Sequence, residues 1–212
     1  MATLGFGLIR IVNLPNLLSL SRVPALIVIA ILLHLPPQAG GATWALILFV
    51  LAAFTDYLDG WVARKQGLVS DLGKFLDALT DKILTLGLFI TFLSLGILPA
   101  WTLLLVLFIL IRELLITGLR LVAAKNGLVL AAEKSGKIKT FFQMASLAIL
   151  LLSQAFLVDF PGVLEPAVWR GLYGIGGLGS FCVAAALTIF SGVLYLAKYG
   201  RLLLDPEAAE AR

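Results

Sequence analysis

The sequence is poor in charge, cysteine and histidine. Only 13% of its 212 residues are charged, whereas soluble proteins carry about a quarter. The single cysteine, Cys182, excludes an internal disulfide, and we expect an inert thiol there because it lies in an apolar run. The first residues lack the basic start, apolar centre and cleavage site of a secretory signal, so we expect them to stay in the mature protein. These shortages exclude an ordinary soluble fold and a disulfide scaffold.

Hydrophobic residues are abundant, at 61% of the chain. They form runs close to the length of about 20 residues that crosses a bilayer as a helix. The pattern predicts an all-α integral membrane protein with six transmembrane helices, in one domain spanning 1–212, with a short interfacial helix near 2–12. The six predicted spans are 17–35, 43–58, 75–95, 101–121, 141–158 and 171–195.

The connections between these spans alternate in character. HLPPQAGG, ILPA and VDFPGVLEP follow the first, third and fifth spans, whereas the other connections are charged. Of the sixteen Lys and Arg residues, Arg170 alone falls on the face with the Pro- and Gly-rich connections. Because basic residues are retained on the cytoplasmic side, we expect both termini and the functional site to face the cytosol, at the cell inner (cytoplasmic) membrane. This basic face favours anionic head groups and phosphorylated substrates.

Four aspartates lie around the connection between the second and third spans. Asp56 and Asp59 are three residues apart, and Asp77 and Asp81 are four apart, so each pair shares one helix face. Converging carboxylates repel one another unless they are protonated or bridged by cations. An all-oxygen ligand set suits Mg²⁺ or Mn²⁺ rather than zinc. The alternative is a set of ordinary acids on a solvated helix end.

The residues between the aspartates also suit a bound phosphate. Gly60 and Gly73 remove side chains where a bulky ligand must approach the backbone, and Arg64 suits bidentate contact with phosphate. The two glycines could instead be simple helix termini. Asp71 lies off the pattern, as a loop acid or a helix cap.

The spacing of eight residues in this segment resembles the signature of the CDP-alcohol phosphotransferase family. The matching residues are Asp56, Asp59, Gly60, Ala63, Arg64, Gly73, Asp77 and Asp81. The resemblance implies a six-helix bundle, usually a homodimer, with a cavity open to the cytosol. It also implies that Asp56, Asp59 and Asp77 bind metal and CDP-diacylglycerol. Asp81 completes the metal-binding set and acts mainly as the general base that activates the acceptor hydroxyl.

Two further segments resemble the branch of this family that uses sn-glycerol 3-phosphate as the acceptor. In NLPNLLSLSR, Asn16, Ser19 and Arg22 match an N-terminal motif of this branch that helps to form the nucleotide site, although Thr is usual at the position of Ser19. Asn16 could instead be a helix cap and Arg22 an interfacial anchor. The segment from IRELL to TFFQ supplies four cations for the acceptor phosphate: Arg112, Arg120, Lys137 and Lys139.

The expected reaction is therefore transfer of a phosphatidyl group from CDP-diacylglycerol to sn-glycerol 3-phosphate, in phospholipid biosynthesis. The other readings are the same chemistry with inositol phosphate or phosphatidylglycerol, and a small membrane transporter. Positive-inside topology alone could also account for Lys137 and Lys139. Arg112 and Glu113 are adjacent on one helix, so we expect each to need a partner elsewhere. We expect membrane lipid and a second copy of the chain as partners, and no nucleic acid.

Overall fold

In the computed structural model, every element within the described residues, 14–37, 39–66, 71–125 and 134–204, is helical. The long helices are α1 Leu14–Leu33, α2 Gly41–Gln66, α3 Asp71–Ser94, α4 Leu103–Lys125, α5 Lys134–Gln154 and α6 Gly179–Leu204. Each overlaps one of the predicted spans, and the all-α class is confirmed. The predicted interfacial helix at 2–12 lies outside the described residues.

Short helical segments extend three of these helices. The 3₁₀ turn Ala100–Thr102 leads into α4, and the π-helix Ala155–Asp159 continues α5. A single-turn α-helix, Pro166–Arg170, and the π-helix Gly171–Leu178 lead into α6.

Three connections contain a glycine in the left-handed backbone region. Gly40, Gly96 and Gly162 have φ values of 73°, 70° and 89°, which residues with a Cβ adopt only at a cost. Gly40 and Gly162 lie in the breaks HLPPQAGG and VDFPGVLEP that the sequence predicted, and Gly96 directly precedes the break ILPA. Local backbone chemistry therefore ends the helices at this side of the molecule.

The core is formed mainly by large apolar side chains of α3, α5 and α6. Phe89 and Phe92 of α3 and Leu147 and Leu150 of α5 are fully buried. The Phe89 ring meets the ring of Phe181 in α6 edge to face, with centroids 5.2 Å apart. Helix α1 packs on α2 and α3, and α6 packs on α4 and α5. The bundle thereby brings the functional segments of α3, α4 and α5 together.

The outer faces of the helices are apolar. On α4, the exposed residues Leu104, Phe108, Ile111 and Leu115 recur at helical spacing. Among the described residues, Ala100–Ala124, Ile138–Asp159 and Pro166–Tyr199 are long and apolar enough to cross a membrane, while Ser19–Leu33 and Gly41–Thr55 are shorter apolar helices. These are the features of a membrane-embedded helical protein.

Asp159 joins the end of the π-helix after α5 to the start of α2. The Thr43 backbone N–H and the Thr43 hydroxyl both donate to Asp159 Oδ2, at 2.6 and 2.7 Å. A carboxylate at a helix N-terminus also interacts favourably with the helix dipole. Asp159 thus caps α2 with a side chain that is distant in sequence.

We predict that Asp159→Ala lowers the free energy of unfolding by about 1–3 kcal/mol, because the capping bonds to a charged acceptor are lost. The measurement is the midpoint of thermal unfolding of purified protein in detergent. Glu165→Ala is the matched control, since Glu165 precedes a helix but makes no side-chain capping bond. Equal midpoints for the two variants would show that the cap contributes nothing.

Candidate active site

A cavity of about 580 Å³ is lined by residues of α2, α3, α4 and α5. Asp81 and Lys82 come from the N-terminal half of α3, and Glu113 comes from the middle of α4. Lys139 and Gln143 lie one turn apart on α5. The cavity thus gathers charged side chains from three helices, although apolar residues dominate all three.

The cavity brings together several of the predicted site residues. Asp81, predicted as the general base, shares it with Arg112, Arg120 and Lys139, all predicted to bind the acceptor phosphate. The side chain of Lys137 lies outside the described residues. One acid and three cations predicted from separate segments therefore line one space.

Glu113 pairs with two of the cations that line the cavity. Lys139 Nζ donates to Glu113 Oε1, and Arg112 Nη1 lies 3.4 Å from the same oxygen. All three side chains are largely buried, with exposed fractions of 13% for Arg112, 9% for Glu113 and 6% for Lys139. Since a buried charge is costly unless it is paired, Glu113 makes it possible to hold both cations inside the bundle.

Arg112 and Glu113 have the partners elsewhere that their adjacency on one helix requires. Arg112 Nη2 donates to Ser191 Oγ of α6 at 3.0 Å, and Glu113 accepts from Lys139. The long Arg112 side chain also reaches Glu113 on its own helix, with Nη1 at 3.4 and 3.5 Å from the two carboxylate oxygens. Arg112 Nε is buried without a partner among the described residues.

Helix α6 contributes contacts that the sequence reasoning missed. Arg120 Nε donates to the Tyr195 hydroxyl at 3.4 Å, and the Arg120 guanidinium lies 5.2 Å from the centre of the Tyr195 ring. Gln143 Nε2 donates to Thr188 Oγ1 at 3.3 Å. The available signal was the recurrence of Thr188, Ser191 and Tyr195 on one face of an otherwise apolar helix.

Two predicted nucleotide-binding residues on α1 are buried, and one of them, Arg22, contacts the residue before Asp81. Ser19 is 4% exposed and Arg22 is 2% exposed. Arg22 Nη1 donates to Thr80 Oγ1, at 3.5 Å, one residue before Asp81. The burial of Arg22 argues against its alternative role as an interfacial anchor, since the charged group of such an anchor lies in water.

The remaining predicted site residues have side chains outside the described part of the structure. These are Asn16, Asp56, Asp59, Gly60, Ala63, Arg64, Gly73 and Asp77. The helices show only that Asp56 and Asp59 belong to α2, and Asp77 and Asp81 to the first turns of α3. Within the described residues, no three His, Cys, Asp or Glu side chains form a group that could hold a metal ion. The metal site stays a prediction.

Comparison with known proteins identifies the class of protein. The family model described as CDP-alcohol phosphatidyltransferase matches residues 12–190, and the chain belongs to this family. The CDP-diacylglycerol–glycerol-3-phosphate 3-phosphatidyltransferase of Bacillus subtilis (strain 168) is 38% identical over 200 residues, which cover 88% of this chain and 94% of that protein.

Two further relatives are similar over most of their length. The protein of the same name from Rickettsia typhi is 35% identical over 190 residues, covering 86% of this chain and 94% of the relative. A probable phosphatidylglycerophosphate synthase of Mycobacterium tuberculosis (strain CDC 1551 / Oshkosh) is 33% identical over 199 residues, covering 91% and 84%. The similarity therefore extends well beyond the aspartate signature.

Proposed function

We propose that this protein transfers the phosphatidyl group of CDP-diacylglycerol to sn-glycerol 3-phosphate, giving phosphatidylglycerophosphate and CMP. The observation that carries the proposal is the shared cavity, which combines Asp81 with Arg112, Arg120 and Lys139. A carboxylate able to accept a proton and cations able to hold a phosphate are what this transfer requires of the acceptor side. The names of the similar proteins from B. subtilis and R. typhi state the same reaction.

Arg112 is well suited to hold the acceptor phosphate. A guanidinium has five N–H donors in a planar fork. Its described bonds use Nη1 and Nη2, with Glu113 at 3.4 to 3.5 Å and Ser191 at 3.0 Å. The bonds to Glu113 are long, so the group keeps donor capacity for a phosphate. Arg120 is exposed and adds a second guanidinium to the same cavity.

The four aspartates would hold a divalent cation. Their donor atoms are all oxygen, which fits Mg²⁺ or Mn²⁺. Asp81 lines the same cavity as the basic side chains of Arg112, Arg120 and Lys139. Asp56, Asp59, Asp77 and Asp81 would be the ligands, and Asp81 would also serve as the general base. When bound, the metal would offset negative charge on the diphosphate of CDP-diacylglycerol.

The proposed reaction is a direct displacement at phosphorus. The acceptor hydroxyl gives its proton to the Asp81 carboxylate, and its oxygen forms a bond to the phosphorus that carries diacylglycerol. The bond between this phosphorus and the bridging oxygen breaks, and CMP leaves with that oxygen and the electron pair. Asn16, Ser19, Arg22, Gly60, Ala63, Arg64 and Gly73 would bind CDP-diacylglycerol on the nucleotide side.

We also propose the topology and assembly that this chemistry favours. All six long helices would cross the cell inner membrane, with both termini and the cavity at the cytosolic face. The support is the placement of the basic residues and the positive-φ glycines at the opposite ends of the helices. The chain would form a homodimer, as its family resemblance implies.

The test is release of CMP by purified protein in detergent with CDP-diacylglycerol and Mg²⁺. We expect release that depends on glycerol 3-phosphate and is absent with inositol phosphate, phosphatidylglycerol or serine as the acceptor. We also expect EDTA to abolish release and added Mg²⁺ or Mn²⁺ to restore it. Release with another acceptor would overturn the assignment of the cationic cluster, and no release with any acceptor would favour a non-enzymatic role such as transport.

A further inference from the structure

Arg112 and Arg120, the two arginines that line the cavity, both form hydrogen bonds with one face of α6. Ser191 Oγ accepts from Arg112 Nη2 at 3.0 Å, and the Tyr195 hydroxyl accepts from Arg120 Nε at 3.4 Å. Ser191 and Tyr195 are one helical turn apart, so they share a face. Arg112 and Arg120, which are eight residues apart on α4, therefore both donate to the same face of α6.

Gly192 shapes the same contact. A Cβ atom at this position would lie 2.7 Å from Arg112 Cγ, much closer than carbon atoms approach in packed proteins. The aliphatic part of Arg112 therefore lies against the backbone of α6, and any larger residue must displace it. Displacement there moves the guanidinium, because the group is carried by the same side chain.

These α6 residues do not line the cavity. Ser191 and Tyr195 are each 1% exposed, and neither is among the residues around the space that holds Asp81 and Arg112. Among the described contacts, Ser191 and Tyr195 meet the cavity residues through Arg112 and Arg120. They also lie beyond residue 190, where the match to the family model ends, so this support does not belong to the part of the chain that the family model describes.

We propose that Ser191, Gly192 and Tyr195 are positioning residues that set the affinity for the acceptor phosphate by fixing Arg112 and Arg120. The proposal rests on the proposed function and deepens it. Two guanidinium groups held in one arrangement can meet one phosphate without first being ordered, which lowers the cost of binding. Their effect falls on the acceptor and not on CDP-diacylglycerol.

The experiment measures the KM for glycerol 3-phosphate and for CDP-diacylglycerol, together with kcat, in Ser191→Ala, Tyr195→Phe and Gly192→Ala. The first two variants each remove one hydrogen bond, so we expect the KM for glycerol 3-phosphate to rise about threefold to tenfold. Gly192→Ala moves Arg112 itself and raises this KM by up to about 100-fold. The KM for CDP-diacylglycerol stays unchanged in all three.

Two control variants match these changes. Gly118→Ala adds the same methyl group to α4, where a Cβ would meet nothing within 4 Å. Val193→Ala alters a residue of the same turn of α6 that is 61% exposed. Both should keep the wild-type KM for each substrate.

A double variant separates positioning from general support of the fold. If Tyr195 acts through Arg120, Tyr195→Phe raises the acceptor KM in the wild type but not in an Arg120→Ala background. Three results would overturn the positioning inference but leave the proposed function intact. They are an equal rise of the acceptor KM in both backgrounds, a parallel rise in the KM for CDP-diacylglycerol, and unchanged kinetic constants. A wild-type protein that released no CMP with glycerol 3-phosphate would overturn the proposed function and this inference with it.

Discussion

An Asp81→Asn variant will release CMP about 10²- to 10⁴-fold more slowly than the wild type, which is the contribution of a positioned general base. Asparagine keeps the size of the side chain but cannot take the proton of the acceptor hydroxyl. Asp81 lines the cavity from α3, together with Arg112 and Lys139. The measurement is the initial rate of CMP release with both substrates saturating and Mg²⁺ present.

Asp71→Asn is the matched control for this prediction. Asp71 is the first residue of α3 and lies off the aspartate pattern, and asparagine caps a helix about as well as aspartate. The rate should therefore stay at the wild-type value. An Asp81→Asn variant that kept more than a tenth of the wild-type rate would remove Asp81 from the role of base.

Replacing Glu113 with alanine will lower the free energy of unfolding by about 3–5 kcal/mol, the cost of leaving a buried charge without its partner. Lys139 Nζ donates to Glu113 Oε1, and Arg112 lies 3.4 Å from the same atom. Removing the carboxylate leaves two neighbouring, largely buried cations that repel each other. The thermal midpoint in detergent without substrates should fall by about 6–20 °C for a chain of this size.

Removing both members of the buried pair should cost less than removing Glu113 alone. A Glu113→Leu, Lys139→Met variant leaves no unpaired lysine, and Arg112 keeps its bond to Ser191. We expect the fall in its thermal midpoint to be less than half of the fall caused by Glu113→Ala. Glu165→Ala, at an exposed position, should leave the midpoint unchanged. A double variant less stable than Glu113→Ala would show that the ion pair is not the source of the stability.

The two predictions distinguish an effect on the reaction rate from an effect on folding stability for two residues of the same cavity. Asp81 should affect the rate while the protein remains folded, whereas Glu113 should affect the folded state before any substrate binds. Lys139 contributes both to the site and to the stability of the fold, because it lines the cavity and also forms an ion pair with Glu113. A phosphate that enters the cavity would therefore meet a lysine whose charge is already partly offset, and the arginines would carry more of the binding.

Much of the helical order follows from local chemistry. Apolar runs of membrane-spanning length predicted where α1 to α6 lie, and Pro- and Gly-rich segments predicted where three of them end. Both signals act over a few residues, since a glycine such as Gly96 needs only its own φ to end a helix. The aspartate signature was equally visible, because its spacing reflects neighbouring turns of α2 and α3. The contacts of Asp56, Asp59 and Asp77 fall outside the described side chains, and their joint metal site remains a prediction.

The sequence by itself determined the helical class and the breaks, and it supplied the charged residues predicted for the site. Only the tertiary structure decided which of those residues meet. Glu113 finds Lys139 across 26 positions of the chain, and Arg112 finds Ser191 across 79. Such pairings depend on how each helix is rotated and shifted against its neighbour, which is set by the packing of residues such as Phe89 against Phe181. No periodicity within a single helix contains that information, and for this reason the support that α6 gives to the arginines emerged only from the folded chain.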